Sequence, residues 1–224
     1  MAAHSFLVFS KKRIVFLRPC IFTQNQINQA NIMSKRINEL SKEEIAKLFP
    51  VELSGYDSNW IEIYKEEEKQ IKNALHEILI RIEHFGSTSI PNLTAKDTID
   101  ILVEIPEDQS LNDSIIERMK TISYDFMWQT DGEPPYMVFV KGYNTTGIKE
   151  QTFHIHMGPG HHKLWDRIFF RDYLIEYPEI AKQYETLKLA LAQEFKYDRV
   201  GYRIAKTDFV IKITEEAKKY YLAK

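Results

Sequence analysis

A loop of small residues followed by a carboxylate is the part of this sequence with the clearest chemical use. Gly86 is followed by Ser87, Thr88 and Ser89, and Asp100 opens an apolar run a few residues later. Small hydroxyl residues behind a glycine leave backbone N–H groups and Oγ atoms free to converge on an anion. A nearby carboxylate offers a hard oxygen ligand for Mg²⁺. The pattern therefore predicts a metal–nucleotide site, in which the loop binds phosphates and Asp100 binds the ion.

The strand that begins near Thr98 determines which carboxylates can act together with Asp100. Side chains two residues apart on a strand share a face, so Asp100, Leu102 and Glu104 point the same way. A two-metal site needs carboxylates that bridge ions about 3.5–4 Å apart, and Leu102 stands where the nearest partner would be. Glu104 lies one pleat farther, about 6.6 Å along the strand. We expect Asp100 to be the main catalytic and metal-binding carboxylate, with Glu104 as a displaced partner.

Two histidines form a second candidate group. His154 and His156 fall on one face of the alternating segment 152–157, which is typical of a strand. Neutral imidazole is the commonest side-chain metal ligand, and the pair could equally hold a phosphate. Two polar residues on a partly open sheet face would give the same pattern. A histidine-triad hydrolase has a third histidine where this sequence has Gly158, so the pair does not match that class. A metal-dependent hydrolase of another kind, which uses His154 and His156 as metal ligands, is one functional hypothesis.

The elements that would position these residues alternate between strand and helix and end in helices. Hydrophobic periodicity and turn residues predict the following boundaries. Strands are expected at 81–85, from 98, at 124–130, 136–142 and 152–157, and helices at 58–78, 111–123, 164–176, 178–195 and 206–221. This order predicts an α+β fold, with a mixed β-sheet flanked by helices and a C-terminal helical cap.

Two groups of residues are interpreted structurally rather than chemically. The charged run from Glu66 to Lys69 is predicted to be a solvated face of its helix, because four consecutive charges rarely enter a core. The three tryptophans at helix or strand positions are predicted to be core residues. They are Trp60, Trp128 and Trp165.

Composition excludes several classes of protein. Of 224 residues, 44% are hydrophobic and 28% charged, which is ordinary for a globular protein. Residues 1–38 hold six basic residues and no acidic one, which leaves the rest of the chain with a net charge of −8. That acidic body argues against a general nucleic-acid surface. The single Cys20 and the lack of an apolar run of about 18 residues predict a cytoplasmic protein with no membrane span.

Three segments are expected along the chain. Residues 1–32 are predicted to be an upstream extension, disordered or absent in the working protein, because Met33 begins a plausible natural start. Residues 33–160 would form the α/β core. Residues 161–224 would form the helical cap, packed on that core as one globular unit.

Several strings of residues then point to a family. The chain resembles the GrpB family of the nucleotidyltransferase superfamily, and the longest matching motif is GSTSIPNLTAKDTIDI at 86–101. Shorter matching motifs are YDSNW at 56–60, HIHM at 154–157, FRDYL at 170–174 and YRIAKTDFV at 202–210. The resemblance covers about residues 49–220 in order. Active members of the superfamily usually carry Asp-x-Asp on the metal-binding strand. This chain departs from that pattern at Leu102.

The resemblance implies a nucleotidyltransferase-like fold that binds a nucleotide or another phosphorylated ligand with Mg²⁺ and transfers a nucleotidyl group. It places Lys188, Tyr202 and Lys206 on the cap facing a cleft. Lys96 precedes the Asp100 strand, a position from which it would either approach a phosphate or remain a lone exposed lysine. Arg171 would either contact phosphate or form an ion pair within the cap. The alternative is a non-catalytic nucleotide-binding or regulatory module that has lost its second acidic ligand. The residues specify neither the nucleotide, the acceptor nor the oligomeric state.

Overall fold

The computed structural model describes residues 37–130, 134–146 and 148–223, and the predicted extension at 1–32 lies outside them. The described residues form seven α-helices and five β-strands. The helices are α1 (Lys42–Leu48), α2 (Asn59–Leu75), α3 (Asn112–Thr121), α4 (Asp166–Glu176), α5 (Pro178–Glu194), α6 (Arg199–Ala205) and α7 (Thr207–Leu222). The strands are β1 (Arg81–Phe85), β2 (Thr98–Glu104), β3 (Asp125–Gln129), β4 (Met137–Lys141) and β5 (Thr152–Gly158). Short 3₁₀ turns occur at Ile37–Glu39, His76–Ile78, Ser87–Ser89, Gln109–Leu111 and Lys163–Trp165.

The five strands form one mixed sheet in the order β1-β2-β5-β4-β3. The central pair, β2 and β5, is parallel, and the other neighbours are antiparallel. A parallel pair needs a long crossover connection, and here that connection contains α3 and the β3–β4 hairpin. The predicted α+β fold with a mixed sheet and C-terminal helices is confirmed. The division at residue 160 stays a prediction.

The two faces of the sheet have different chemistry. One face is apolar and packs on α2 and α3, which contribute Trp60, Ile71 and Met119 to the main core. That face comes from alternate positions of the strands, namely Ile99, Ile101, Val103, Phe139, Phe153, Ile155 and Met157. The intervening positions put Asp100 and the two histidines on the opposite face.

The C-terminal helices have a core of their own that includes the turn after β1. Phe170 and Leu174 of α4, Tyr184 of α5 and Ile213 of α7 pack together with Ile90. This contact fixes the helices next to the Gly-Ser loop, which immediately precedes Ile90. Within the described ranges, no helix has the length and apolar character needed to cross a membrane.

A β-bulge in the edge strand β3 changes the direction of Trp128. Phe126 pairs with Phe139, whereas Trp128 pairs with Val138, so Met127 is the extra residue. A regular strand would place Phe126 and Trp128 on the same face, but the bulge turns Trp128 to the opposite one. Trp128 is 42% exposed. The prediction that all three tryptophans are core residues is therefore wrong for Trp128, while Trp60 and Trp165 are buried.

The charged run on α2 contains one buried member. Glu67 is only 3% exposed, and both of its carboxylate oxygens accept hydrogen bonds from Lys141 Nζ, at 2.8 and 3.0 Å. Glu66 and Lys69 form an exposed ion pair, as a solvated face predicts. The prediction is wrong for Glu67 because this carboxylate turns inward to a cation on β4.

Candidate functional site

A cavity of about 510 Å³ lies between the polar face of the sheet and the C-terminal helices. It brings together ten of the thirteen predicted site residues from five separate stretches of the chain. They are Gly86, Ser87, Thr88, Lys96, Asp100, His154, His156, Lys188, Tyr202 and Lys206. We call this cavity the cleft.

The loop after β1 crosses directly over the Asp100 carboxylate. Gly86 has a φ of 76°, a conformation that favours glycine. A Cβ at Gly86 would also lie 2.4 Å from Asp100 Oδ2. Backbone conformation and close approach therefore both require glycine here.

The three hydroxyls of this loop have different partners. Thr88 Oγ1 donates to the Thr98 carbonyl oxygen at 3.2 Å, and Ser89 Oγ donates to the Gly86 carbonyl oxygen at 2.6 Å. These two hydroxyls stabilise the loop itself, and Ser89 does not line the cleft. Ser87 Oγ faces the cleft and accepts a hydrogen bond from a lysine of α5.

Asp100 is half-buried against β5, and its desolvation there raises the pKa of its carboxyl to about 6. Its Oδ1 lies 3.7 Å from Nδ1 of His154. Arg199 donates to the Tyr143 hydroxyl at 3.2 Å, and that hydroxyl lies 2.5 Å from His154 Nε2. The donor in this contact depends on the tautomer of His154, and the tautomer with its ring proton on Nδ1 directs that proton toward Asp100.

Both histidines are neutral, because burial lowers the pKa of His154 to about 3 and that of His156 well below its ordinary value. His156 packs edge-on against Phe85, with ring centres 5.7 Å apart. Its Nδ1 has no hydrogen-bond partner among the described residues. A metal held by both rings through Nε2 would require His154 to give up Tyr143.

Three lysines enter the cleft without an ion-pair partner among the described carboxylates. Lys188 is 1% exposed, and its Nζ donates to Ser87 Oγ at 3.1 Å and to the Thr94 carbonyl oxygen. Burial lowers the pKa of Lys188 and of Lys96 to about 7. Burial also lowers the pKa of Lys206 to about 8, and its Nζ lies 4.2 Å from the ring centre of Tyr202.

Three arginines of the cleft were missed by sequence reasoning. Arg199 and Arg203 come from α6, a helix that was not predicted, and Arg167 comes from α4. Nη1 of Arg167 is buried without a hydrogen-bond partner in the described part of the chain. The spacing of Arg199, Arg203 and Lys206 was an available signal, since steps of four and three residues put basic side chains on one side of a helix.

The charge of the cleft is strongly one-sided. Six cationic side chains line it, and Asp100 is the one carboxylate among the described lining residues. The cations are Lys96, Arg167, Lys188, Arg199, Arg203 and Lys206. A cleft of this composition favours an anion with several negative oxygens.

Besides Ser89, two predicted residues lie outside the cleft lining, where other contacts hold them. Glu104 Oε2 accepts a hydrogen bond from Arg81 Nε at 3.0 Å. Arg171 is bound to Glu83 at 2.9 Å and to Asp172 at 2.7 Å. Arg171 thus makes the ion pair that was one of its two predicted roles.

The donors of the cleft do not fit a two-metal site. In the described ranges, no three His, Cys, Asp or Glu side chains are grouped as metal ligands. Leu102, at the position of the usual second carboxylate, is fully buried. With Asp100 as the one carboxylate among the described lining residues, the cleft fits at most one Mg²⁺, and the phosphates of a ligand would supply most of its coordination. Mg²⁺ is commonly bound in this way.

Comparison with known proteins identifies the family of this chain. A sequence profile described as GrpB protein matches residues 50–216. The chain belongs to the GrpB family. The UPF0157 protein YqkA of Bacillus subtilis is 35% identical over 167 residues, which cover 74% of this chain and 46% of YqkA. The match thus spans about half the length of that relative.

Other members of the GrpB family match over nearly their full length. The glutamate-rich protein GrpB of Alkalihalophilus pseudofirmus is 31% identical over 167 residues, which cover 73% of this chain and 94% of that protein. The crystal structure of conserved protein GrpB from Enterococcus faecalis has a TM-score of 0.67 at 33% identity. That similarity covers 76% of this chain and 99% of the solved one. The resemblance predicted from the sequence motifs is confirmed.

Proposed function

We propose that this GrpB-family chain binds a phosphorylated small molecule in the cleft, and that protein cations neutralise most of its charge. The observation that carries the proposal is the ratio of six cationic side chains to one carboxylate in a cavity of about 510 Å³. Arginine forks and lysine ammonium groups are the side chains best suited to phosphate.

The cost of desolvating two of the cleft lysines supports the same conclusion. A charged group taken out of water without a counter-charge is destabilising, and its pKa shifts toward the neutral form. Lys96 and Lys188 show that shift, each to a pKa of about 7. A bound polyanion would supply the missing counter-charge and return the lysines to their charged form.

Nucleotidyl transfer with Mg²⁺ is the second candidate. It is favoured by the position of Gly86 directly over Asp100, which would put phosphates next to the carboxylate. The donor set fits one ion at most, so this candidate requires a single Mg²⁺ carried largely by the ligand. We favour the non-catalytic binding module, because its affinity for a phosphorylated ligand would come from the six cations of the cleft and would not require Mg²⁺. Cytoplasmic location stays a prediction.

Calorimetric titration distinguishes the two candidates. ATP and inorganic tripolyphosphate would be titrated separately into the protein, once with Mg²⁺ and once with EDTA. We expect micromolar binding, about −8 kcal/mol, that persists in EDTA. Affinity that disappears in EDTA would support the Mg²⁺-dependent transferase, and binding of neither compound would refute the proposal.

A pair of lysine variants checks that the affinity comes from the cleft. Lys206→Met removes a cleft cation, and Lys212→Met removes an exposed lysine of α7 outside the cleft lining. A hydrogen bond to a charged group contributes about 1.5–3 kcal/mol, so Lys206→Met should weaken binding about ten- to a hundredfold. Lys212→Met should bind like the wild type, and equal effects of the two variants would contradict a specific site.

A further inference from the structure

The bulge in β3 places a large aromatic side chain where the cleft opens. Trp128 pairs with Val138, and Val138 in turn pairs with His156 of β5. Residues directly opposite one another on neighbouring strands share a face, so Trp128 stands on the same face as His156. Trp128 lines the cleft and keeps 42% of its surface exposed.

A second aromatic ring supports Trp128. Tyr136, just before β4, lies edge-on to Trp128 with ring centres 5.8 Å apart and an interplanar angle of 67°. The Tyr136 ring also contacts His162 at 5.0 Å and His156 at 5.8 Å. These contacts hold the Tyr136 ring in place, and Tyr136 lines the same cavity as the six cations.

We propose that Trp128 and Tyr136 form a stacking surface for a planar ring, and that the ligand of the cleft is a nucleotide rather than a simple phosphate ester. This inference rests on the proposed function, which assigns the phosphates to the cations of the same cavity. Aromatic side chains bind bases by stacking with little dependence on base identity, because every base has a π-face. A ligand that carries both a polyanion and a planar aromatic ring matches the two kinds of side chain in the lining.

The bulge, rather than exposure alone, distinguishes Trp128 from the other exposed hydrophobic residues. A regular β3 would have directed Trp128 to the apolar face of the sheet. Bulges commonly occur next to functional sites, where they redirect a side chain. The geometry of β3 therefore agrees with selection for a ring at the cleft opening.

Tryptophan fluorescence provides a direct test, since Trp60 and Trp165 are buried and Trp128 is exposed. The wild-type protein would be titrated with adenosine, ATP and tripolyphosphate. We expect adenosine and ATP to quench the exposed tryptophan and tripolyphosphate to bind without quenching it. If neither adenosine nor ATP quenches the emission, the stacking surface is refuted, whatever the affinity for tripolyphosphate.

Variants test whether the quenching and the ATP affinity come from Trp128. Trp128→Ala should weaken ATP binding about 5- to 140-fold, because stacking of one base typically contributes about 1–3 kcal/mol. The same variant should leave the tripolyphosphate affinity unchanged, and Trp128→Phe should restore part of the ATP affinity. Tyr197→Ala is the matched control, because Tyr197 is an exposed aromatic residue outside the cleft lining.

The outcomes separate this inference from the function on which it rests. Equal ATP affinity in the wild type and Trp128→Ala would refute stacking while leaving phosphate binding in place. An equal loss of ATP and tripolyphosphate affinity would also refute it, because Trp128 would then support the fold of the cleft. Adenosine quenching without any tripolyphosphate binding would refute the proposed phosphate site and retain the ring site.

Discussion

Replacing Lys188 with methionine is expected to change how the free energy of unfolding depends on pH. Burial lowers the pKa of Lys188 from 10.5 to about 7 in the folded protein, whereas an unfolded lysine keeps a pKa of about 10.4. Between these values the unfolded state binds more protons than the folded state. The free energy of unfolding therefore rises as the pH increases from 7 toward 10.

The size of this effect follows from the difference between the two pKa values. One pKa unit corresponds to about 1.36 kcal/mol, and integration from pH 7 to pH 10 gives a gain in stability of about 3 kcal/mol for Lys188 alone. Methionine does not titrate, so the gain should be absent in Lys188→Met. At pH 7 the variant also loses the hydrogen bonds to Ser87 and Thr94, at a cost of about 1–3 kcal/mol for each buried group left unpaired.

Urea unfolding at pH 7, 8, 9 and 10 would measure the effect. Wild type, Lys188→Met and the exposed control Lys212→Met would be compared, because all other titrating groups cancel in the differences between them. We expect the wild type and Lys212→Met to gain stability with pH in parallel and Lys188→Met to gain about 3 kcal/mol less. Parallel curves for the wild type and Lys188→Met would refute the argument that Lys188 is buried without a counter-charge.

Three further predictions concern the loop, the buried ion pair and the ligand. Gly86→Ala should lower the melting temperature and abolish tripolyphosphate binding, because its Cβ would lie 2.4 Å from Asp100 Oδ2; wild-type binding in calorimetry would contradict this. Glu67→Leu leaves Lys141 without its partner and should lower the free energy of unfolding in urea by about 3–5 kcal/mol. Adding Lys141→Met should recover part of this stability. A loss of stability below about 1 kcal/mol in Glu67→Leu would show that the pair is not buried as described. Calorimetric affinity for tripolyphosphate should fall between pH 7 and 9, because Lys96 and Lys206 lose their protons there, and a constant affinity would argue against their contact with phosphate.

Local sequence patterns predicted the parts of the site that depend on strand alternation. Asp100, His154 and His156 were expected to face one way from their strands, and the structure puts them on the same face of the sheet. Lys188, Tyr202 and Lys206 reach the cleft from the C-terminal helices, as the family resemblance implied. These residues could be found because their position depends on a period of two or on a recognisable motif.

Features that depend on irregular structure could not be found in this way. Helix α6 has seven residues and begins after Asp198, whose side chain accepts from the Gly201 N–H, so its apolar pattern is too short to stand out. The direction of Trp128 depends on one extra residue in β3, which no alternation pattern reveals. Glu67 is buried because Lys141, 74 residues away, meets it, and pairings of that kind are decided by tertiary structure.

The parallel pairing of β2 with β5 has a consequence for how the protein folds. Thr98 and Thr152, joined side by side at 2.8 Å, are 54 residues apart in the chain. Closing so long a loop costs conformational entropy before any contact compensates for it, and topologies dominated by such contacts fold slowly. The Asp100–His154 contact exists only after this closure, so we expect Asp100 and His154 to come together late in folding. Ligand binding would then report on completely folded molecules, and a partly folded chain with its hairpin and helices in place would still lack this part of the site.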